Sequence, residues 1–358
     1  MSGGRVLAVG LGVTGDAVLR WADATGRDAV VVDDRLDALA PGRRATADAL
    51  GAPVAPVPVG PDLDALLRTV DLVVPSPGVP EGHAVLQAAL RLGVARRSEI
   101  DLAAERLTAA GRTLVAITGT NGKTTVTELT VAMCRAAGID AVAAGNIGDP
   151  LLDEAGLASD RLVVAEVSSF QLALTTRAFR PAAAALLNLA EDHLDWQRTF
   201  DDYAAAKARI FRAQGADALL VYNADDPVVA ALAAEAPGRA TAFTIAPGAT
   251  AGYRVRVGAT GPVLVTGDGR ELVPVAELAD AAPHDLANLL AAAALAVEVG
   301  AAPDAVGAAA RSFTKGAHRL RPVAAVDGVR YVDDSKATNV HAALAAVRGF
   351  ERVVLIAG

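Results

Sequence analysis

Short runs of Val, Leu and Ala alternate along the chain with Ala-rich segments of helical periodicity. This rhythm is typical of parallel sheets covered by helices, so we predict an α/β fold. The strands predicted in the first two thirds of the chain are Arg5–Val9, Val30–Asp33, Leu72–Pro75, Leu114–Thr118, Arg161–Val167, Ala183–Asn188 and Ala218–Asn223.

The segment Tyr253–Val275 breaks this rhythm, because its residues alternate around four glycines. That pattern predicts antiparallel hairpins added to the α/β core. A third α/β segment begins at Pro322. Its predicted elements are a helix from about Val340 and strands at Val323–Val326, Val329–Asp333 and Arg352–Ile356.

Composition and charge narrow the class of protein. The length of 358 residues predicts two or three domains, and 41 acidic residues against 33 basic ones disfavour nucleic acid as the main partner. A single cysteine, Cys134, fits a reducing cytosol. No signal peptide pattern opens the chain, and the apolar segment Leu286–Val297 is too short to cross a bilayer. We therefore expect a cytoplasmic protein without membrane insertion, and a buried helix at Leu286–Val297.

The first glycine loop, Gly10-Leu11-Gly12-Val13-Thr14-Gly15, stands between a predicted strand and a predicted helix. Asp33 and Asp34 end the next strand, about where a dinucleotide fold places its ribose-binding acid. Glycines let the backbone approach a pyrophosphate at a helix N-terminus, which attracts anions. Three interpretations stay open on this motif: NAD or FAD binding, another nucleotide diphosphate, or a turn that serves packing alone.

The second glycine loop, Thr118–Thr125, has the sequence Thr-Gly-Thr-Asn-Gly-Lys-Thr-Thr. A standard phosphate loop has Gly five positions before the Gly of Gly-Lys-Thr, and this chain has Ile117 there. The physical parts remain, because the turn can point N–H groups at phosphates, Lys123 can reach the β and γ oxygens, and Thr124 can hold Mg²⁺. We predict an ATP site rather than a chance occurrence of these residues.

Two polar clusters follow predicted strands, where phosphoryl transfer could find its metal ligands. Glu166 ends an apolar strand and needs a partner if it is buried. The alternative for Glu166 is a helix-capping network with Ser168 and Ser169. The second cluster is Asn188–Asp195, for which the alternative is a solvated loop.

Lysine is rare in this chain. Only four of the 33 basic residues are Lys, namely Lys123, Lys207, Lys315 and Lys336. A chain so biased toward Arg is expected to keep Lys mainly where Arg cannot serve. Lys207 taken alone would be an ordinary residue on a helix surface, and its rarity is the reason to examine it.

These segments together resemble the Mur ligases, the ATP-dependent amide-forming enzymes of peptidoglycan precursor synthesis. The specific signatures are the second glycine loop, Glu-Val-Ser-Ser-Phe-Gln-Leu and Asn-Leu-Ala-Glu-Asp-His-Leu-Asp. The segment Asp334–Asn339, the first glycine loop and Ser76-Pro77-Gly78 favour the branch that adds D-glutamate to UDP-N-acetylmuramoyl-L-alanine. The sister that adds L-alanine has His where this chain has Asn121.

The resemblance implies three domains. A Rossmann-like UDP-sugar domain would span 1–97, a P-loop ATPase-like central α/β domain with added β-hairpins would span 98–316, and a Rossmann-like amino-acid-binding domain would begin at 317–358. The last domain is expected to continue with a second Gly-rich turn bearing Lys, then Ser and an aromatic residue. The 42 residues from Ala317 to Gly358 are too few for a stable core. We therefore expect a truncated sequence that lacks on the order of 100 residues.

The resemblance also implies site residues. NAD binding is then disfavoured, and the UDP-sugar would contact Val13, Thr14, Asp33, Asp34, Arg35, Ser76, Gly78 and Asn146. ATP would contact Gly119, Thr120, Asn121, Gly122, Lys123, Thr124, Thr125, Asn288 and Arg319. D-Glutamate would lie at Lys336 and Thr338.

Two Mg²⁺ ions belong to the implied site. Thr124 and Glu166 would share one ion, and His193 would hold the other together with a carbamylated Lys207. Carbamylation turns an ammonium into an anionic oxygen ligand, which a guanidinium could not readily become. The residues implied in catalysis are Lys123, Glu166, His193 and Lys207.

The implied chemistry answers a problem of reactivity. A carboxylate is a poor acyl donor, so ATP would phosphorylate the L-alanyl carboxylate and the D-glutamate amine would attack the acyl phosphate. The alternatives are a module that only binds the UDP-sugar and ATP, another Mur ligase, and a Rossmann oxidoreductase. Two positions stay unexplained: family members often have Asn where this chain has Asp285, and the sequence suggests no role for Lys315.

Overall fold

The computed structural model describes residues 3–36, 42, 44–191, 199–316, 318–347, 349–350 and 352–357. The chain forms two compact units. The first comprises Met1–Ala116, Val142–Ala182 and His193–Ala216, and the second comprises Ile117–Ala141, Ala183–Asp192 and Asp217–Gly358.

The strands in chain order are β1 Gly3–Val9, β2 Arg27–Val32, β3 Val54–Ala55, β4 Leu72–Pro75, β5 Ala95–Arg96, β6 Leu114–Thr118, β7 Ala141–Gly145, β8 Leu162–Glu166, β9 Ala183–Leu186, β10 Leu219–Asn223, β11 Arg239–Thr244, β12 Tyr253–Gly258, β13 Gly261–Val265, β14 Glu271–Pro274, β15 Arg321–Val326 and β16 Val329–Asp333.

The helices are α1 Val13–Ala24, α2 Ala45–Ala49, α3 Pro61–Leu67, α4 Ala84–Leu92, α5 Glu99–Ala109, α6 Lys123–Ala136, α7 Leu151–Gly156, α8 Ser169–Ala173, α9 Phe200–Arg212, α10 Pro227–Ala233, α11 Pro283–Glu298, α12 Pro303–Ser312 and α13 Val340–Val347. No helix among the described residues is long and apolar enough to span a membrane.

A five-stranded parallel sheet organises the start of the first unit. Its strand order is β3-β2-β1-β4-β5. The chain adds β2 and β3 on one side of β1 and then β4 and β5 on the other side, so the switch point lies between β1 and β4. Ligands of doubly wound folds bind at the carboxyl ends of the strands at such a switch point. The two central strands are apolar and buried, over residues 6–9 of β1 and over all four residues of β4. Such continuous apolar runs are typical of a parallel sheet that is covered on both faces.

Buried charges hold the rest of the first unit around α5 and α7. The Arg112 guanidinium donates to a carboxylate oxygen of Glu154 at 2.7 Å, and the two side chains are 3% and 5% exposed. Glu99, at the start of α5, accepts the N–H of Leu152 at 2.5 Å. These contacts join α5, α7 and the segment before β6 through buried hydrogen bonds.

The second unit contains parallel and antiparallel strands. The strand order is β14-β13-β12-β11-β10-β9; β9 to β12 pair in parallel, and β12, β13 and β14 pair antiparallel. This confirms the hairpins predicted at Tyr253–Val275. The helix predicted at Leu286–Val297 is α11, in which residues 289–296 are all buried. The strands β15 and β16 form a separate antiparallel pair.

The last predicted strand is wrong. Residues 352–357 contain no strand, and the side chains of Val354 and Ile356 are 91% and 92% exposed. A strand needs a hydrogen-bonded neighbour, and none pairs with this segment in the described part of the chain. The apolar run alone suggested the strand. The helix predicted from about Val340 is confirmed as α13.

The buried Glu99 should make stability depend on pH. Burial raises the pKa of the Glu99 carboxyl to about 7, the N–H of Leu152 opposes this shift and the charge of Asp153 adds to it. Because the pKa of Glu99 is higher in the folded than in the unfolded protein, the free energy of unfolding is highest below about pH 4.5. It falls as pH rises through about 7. Glu99→Gln should remove this loss, which is on the order of 3 kcal/mol.

Urea unfolding at pH 5 and pH 8 measures the effect. The wild type should lose more stability between the two pH values than Glu99→Gln does. Glu105→Gln, at a 60% exposed position of the same helix, is the matched control. Equal losses in the wild type and Glu99→Gln would contradict the prediction.

Candidate active site

Asp33 organises the first glycine loop. Its side chain is buried at the end of β2, where one oxygen accepts the N–H of Leu11 at 2.7 Å and the other accepts the N–H of Arg35 at 2.8 Å. Ser76, which follows β4, donates its hydroxyl to the carbonyl of Gly10 at 3.2 Å. The loop is therefore fixed at the switch point of the five-stranded sheet.

Gly15 allows the loop to pass close to α1. A Cβ at this position would lie 2.3 Å from the carbonyl oxygen of Gly10, which no side chain could accommodate. The close approach brings the start of α1 against the end of β1. This geometry suits an anion held by backbone N–H groups at a helix N-terminus.

The other residues predicted around the UDP-sugar lie at the same edge of the sheet. Asp34 is exposed and pairs with His83 at 2.9 Å, and Val13 is 51% exposed at the start of α1. Thr14 and Ser76 line a small cavity that Glu99 and Gln171 also line. Arg35 and Gly78 are exposed. The first unit thus brings these predicted residues together, apart from Asn146.

Glu166 ends β8 and is 2% exposed. One of its carboxylate oxygens accepts the side-chain N–H of Asn146 at 2.8 Å, and its backbone carbonyl accepts the backbone N–H of Asn146 at 2.9 Å. The other oxygen, Oε2, is buried and has no hydrogen-bond partner among the described residues. A buried carboxylate oxygen left in this way fits a cation ligand, because burying it unpaired is costly.

The capping alternative for Glu166 is not what the structure contains. The network at the start of α8 consists of Ser168 and Gln171, whose side chains each accept the other residue's backbone N–H at 3.2 Å and 2.9 Å. Glu166 takes no part in this capping box. Its carboxylate instead bonds to Asn146, which the family resemblance places at the sugar substrate.

Lys207 is not a surface residue. Its side chain lies on α9, is 2% exposed, and places Nζ 4.7 Å from the centre of the Tyr203 ring. Burial of an amine at this depth is rare without a specific environment. His193, predicted to hold a metal with Lys207, lies outside the described residues. No group of three His, Cys, Asp or Glu side chains suited to a metal occurs in the described part of the chain.

The second glycine loop joins β6 to α6 within the second unit. Lys123 folds back over it, so that Nζ donates to the carbonyls of Gly119 at 3.0 Å and Thr120 at 2.9 Å. Gly122 is the N-cap of α6 and has φ +84°, which favours glycine. A Cβ there would lie 2.5 Å from Oδ1 of Asn288, so Asn288 sits directly against the loop.

Asn188 clamps the same loop. Its Oδ1 accepts the backbone N–H of Asn121 at 2.8 Å, and its Nδ2 donates to the carbonyl of Asn121 at 3.0 Å. The hydroxyl of Thr120 accepts the N–H of Ala190 at 3.0 Å. The described part of the second polar cluster is thus a partner of the loop rather than a solvated loop. The sequence motif contains Asn188 but indicates no role for it.

The predicted residues near the end of the chain follow β16. Lys336 donates its backbone N–H to the carbonyl of His318 at 3.2 Å, and the Thr338 N–H bonds to the carbonyl of Lys336 at 3.0 Å. Lys336 and Thr338 are exposed, while Arg319 is half-buried. Thr124 and Thr125 begin α6, where Thr124 is half-buried and Thr125 buried.

Lys315 and Asp285 form an ion pair that no sequence motif indicates. The Lys315 ammonium lies 2.8 Å from one oxygen of Asp285 and 2.9 Å from the other, and the two side chains are 13% and 7% exposed. Neither position had an assigned role. Asp285 and Lys315 are 30 residues apart, so no local motif connects them. The one signal in the sequence is that an unusual acid and an unassigned lysine occur in the same chain.

Known sequence families account for most of the chain. The profile of the Mur ligase middle domain matches residues 117–296, and that of the Mur ligase MurD-like N-terminal domain matches residues 4–96. The chain belongs to the Mur ligase family. Members of this family use ATP and Mg²⁺.

Curated relatives agree with this assignment. A UDP-N-acetylmuramoylalanine--D-glutamate ligase from Frankia casuarinae is 45% identical over 361 residues, covering 99% of this chain and 73% of that protein. The ligase of the same name from Thermobifida fusca is 41% identical over 370 residues, covering 100% of this chain and 77% of that protein.

Solved structures share the fold. A UDP-N-acetylmuramate:L-alanyl-gamma-D-glutamyl-meso-diaminopimelate ligase from Neisseria meningitides superposes with a TM-score of 0.59 at 20% identity, covering 87% of this chain and 99% of that chain. The UDP-N-acetylmuramate-alanine ligase MurC from Thermotoga maritima gives 0.53 at 20% identity, with coverage of 93% and 74%. The predicted α/β fold is confirmed.

Glu166→Gln should change stability in opposite directions with and without metal. The substitution removes an uncompensated buried charge, so the metal-free protein should gain on the order of 1–3 kcal/mol. It also removes the anionic ligand, so added Mg²⁺ should stabilise the variant less than the wild type. Thermal unfolding in EDTA and in excess Mg²⁺ measures both effects.

Glu154→Gln is the matched control. Glu154 is also a buried glutamate of the first unit, but Arg112 and Arg161 pair with it at 2.7 and 3.2 Å. Its substitution should destabilise the protein at every Mg²⁺ concentration, because Arg112 would lose its partner. Destabilisation of Glu166→Gln in EDTA, with an unchanged response to Mg²⁺, would rule out the metal role.

Proposed function

We propose that this chain ligates D-glutamate to UDP-N-acetylmuramoyl-L-alanine with ATP, through an acyl-phosphate intermediate. The observation that carries the proposal is the likeness to D-glutamate ligases at 41–45% identity over 99–100% of this chain. The two glycine loops support it, since each lies at a helix N-terminus, where backbone N–H groups favour a phosphate. The domain division into 1–97, 98–316 and 317–358 is part of the same proposal.

The first glycine loop would hold the uridine diphosphate. In a dinucleotide site, the acid at the position of Asp33 accepts hydrogen bonds from the ribose. Here one Asp33 oxygen already accepts the N–H of Leu11 in the loop, and the other accepts the N–H of Arg35. This supports a different nucleotide diphosphate over NAD. The side chains proposed to contact the substrate are Val13, Thr14, Asp34, Arg35, Ser76 and Asn146.

The second glycine loop would hold the ATP phosphates. Lys123 now donates to two loop carbonyls, and turning toward the β and γ oxygens would exchange these neutral acceptors for anionic ones. Asn288, which contacts Gly122, and Arg319 would contact the rest of the nucleotide. Positioning and electrostatic stabilisation dominate phosphoryl transfer, so the rigidity that Asn188 gives to the loop favours catalysis.

Glu166 would be a carboxylate ligand of one Mg²⁺, and Thr124 would supply a hydroxyl. When bound, Mg²⁺ would neutralise charge on the transferring phosphoryl group. His193 and a carbamylated Lys207 would hold a second ion. The carbamate would form when the neutral Nζ attacks carbon dioxide and loses a proton, which leaves an N–COO⁻ group. The near-complete burial of Lys207 supports this role.

The reaction would proceed in two steps. The L-alanyl carboxylate attacks the γ-phosphorus of ATP, which gives an acyl phosphate and ADP. The D-glutamate amine then attacks the acyl carbon, and the tetrahedral intermediate collapses to the amide and phosphate. Lys336 and Thr338 would position the amino acid.

Release of ADP and phosphate tests the proposal. The chain should release both only when ATP, UDP-N-acetylmuramoyl-L-alanine and D-glutamate are all present, and the product should contain the new amide by mass spectrometry. Replacing D-glutamate with L-alanine, L-lysine or D-alanyl-D-alanine separates it from other Mur ligases. Saturable binding of the UDP-sugar and ATP without turnover would support the binding module instead.

Lys207→Ala should lose most of the activity, by at least about 100-fold if the carbamate holds a metal ion. Short carboxylic acids should partly restore it, because they supply the missing oxygen ligand. Lys207→Arg is the control, since it keeps a positive charge but cannot form the carbamate. Full activity of Lys207→Arg would exclude the modification.

A further inference from the structure

Two asparagines link the second glycine loop to the segment before α13. The Asn339 Nδ2 donates to Oδ1 of Asn121 at 3.1 Å, and the Asn121 Nδ2 donates to Oδ1 of Asn339 at 3.4 Å. The two amides therefore form a reciprocal pair between residues that are 218 positions apart in the chain. Both residues are half-buried and lie within the second unit.

The backbone on the Asn121 side is fixed. The Asn188 side chain binds both the N–H and the carbonyl of Asn121. Asn121 stands between Thr120, whose N–H donates to the carbonyl of Asn188 at 2.9 Å, and Gly122, the N-cap of α6. Its side chain is therefore presented from a backbone position that the phosphate site also depends on.

The amide orientation on the Asn339 side is also fixed. Its Oδ1 accepts the backbone N–H of Ala342 at 2.8 Å, and its carbonyl accepts the N–H of Ala343 at 3.1 Å. Asn339 is thus the N-cap of α13. The Ala342 N–H can bond only to the oxygen of the Asn339 amide, not to its nitrogen. The cap therefore determines which way the amide faces and directs Nδ2 toward Asn121.

We propose that the Asn121–Asn339 pair is a positioning contact that couples the nucleotide loop to the amino-acid segment Asp334–Asn339. The inference rests on the proposed function, which places ATP at the loop and D-glutamate at Lys336 and Thr338. Thr338 is the direct neighbour of Asn339, so a shift of the cap would move Thr338 as well. Coupling of this kind is reciprocal: nucleotide on the loop orders the segment, and glutamate on the segment favours the bound form of the loop.

The variant Asn339→Ser separates the pair from the cap. Serine is a good N-cap and can still accept the N–H of Ala342, but it is too short to make the amide pair. The KM for D-glutamate should rise about tenfold, as expected for two neutral hydrogen bonds. Asn339→Ala loses cap and pair and should be worse. Asn223→Ser, whose amide accepts only a local N–H from Asp225 among the contacts the structure describes, is the matched control and should leave the KM unchanged.

A double-mutant cycle tests the coupling. Once Asn121→Ala has broken the pair, adding Asn339→Ser should not raise the KM for D-glutamate further. Independent effects that multiply in the double variant would overturn the proposal.

Hydrogen exchange gives a readout that does not need turnover. MgADP should slow exchange of the Ala342 and Ala343 amides in the wild type and in Asn223→Ser, but not in Asn339→Ser. If the wild type shows this protection without ligating D-glutamate, the contact stands and the proposed function fails. If it ligates D-glutamate but MgADP leaves these amides unchanged, the coupling is refuted and the proposed function stands.

Discussion

The double hydrogen bond from the Asn188 amide to the backbone of Asn121 is the constraint on which the second unit's site depends. A glycine-rich turn has many backbone conformations, and an anion site needs one of them. The amide of Asn188 supplies a partner for both backbone groups of Asn121, as a neighbouring strand would. The loop can then keep Gly122 at positive φ against Asn288 without help from a bound phosphate. Preorganisation of this kind lowers the cost of ordering the loop when a nucleotide binds.

Buried carboxylates in the first unit differ in their partners, and those of Glu99 and Asp33 accept backbone N–H groups. Glu154 and Asp101 are paired with arginines, at 2.7 and 2.5 Å, so their charges are compensated inside the protein. Glu166 is buried as deeply, yet one of its oxygens is bonded to a neutral amide and the other has no hydrogen-bond partner among the described residues. The unpartnered oxygen at this depth is the observation that supports the proposed cation ligand at Glu166.

The sequence predicted the strands that are apolar and central, because burial on both faces leaves a continuous hydrophobic run. It failed at 352–356, where the same kind of run has no neighbour to pair with among the described residues, since pairing is a property of the fold and not of the run. The candidate site residues were predicted from local motifs, and the contacts between them were not. Nothing near Asn188 predicts that it binds Asn121, which is 67 positions away, and the exposure expected of Lys207 by itself was wrong. The motif identifies residue types, while the fold decides their partners.

The Asp285–Lys315 ion pair is a second contact that the sequence did not predict. In the sequence, Asp285 is a departure from the family pattern, and Lys315 is a lysine without a role. Asp285 lies in the first turn of α11, where the helix dipole favours an anion, and its burial requires a cation as well. Lys315 provides that cation, so the two positions form one structural feature. Asn288 lies one turn along α11 from Asp285 and contacts Gly122. The ion pair therefore fixes the start of the helix that reaches the second glycine loop, and a change at Lys315 would act on the loop through α11.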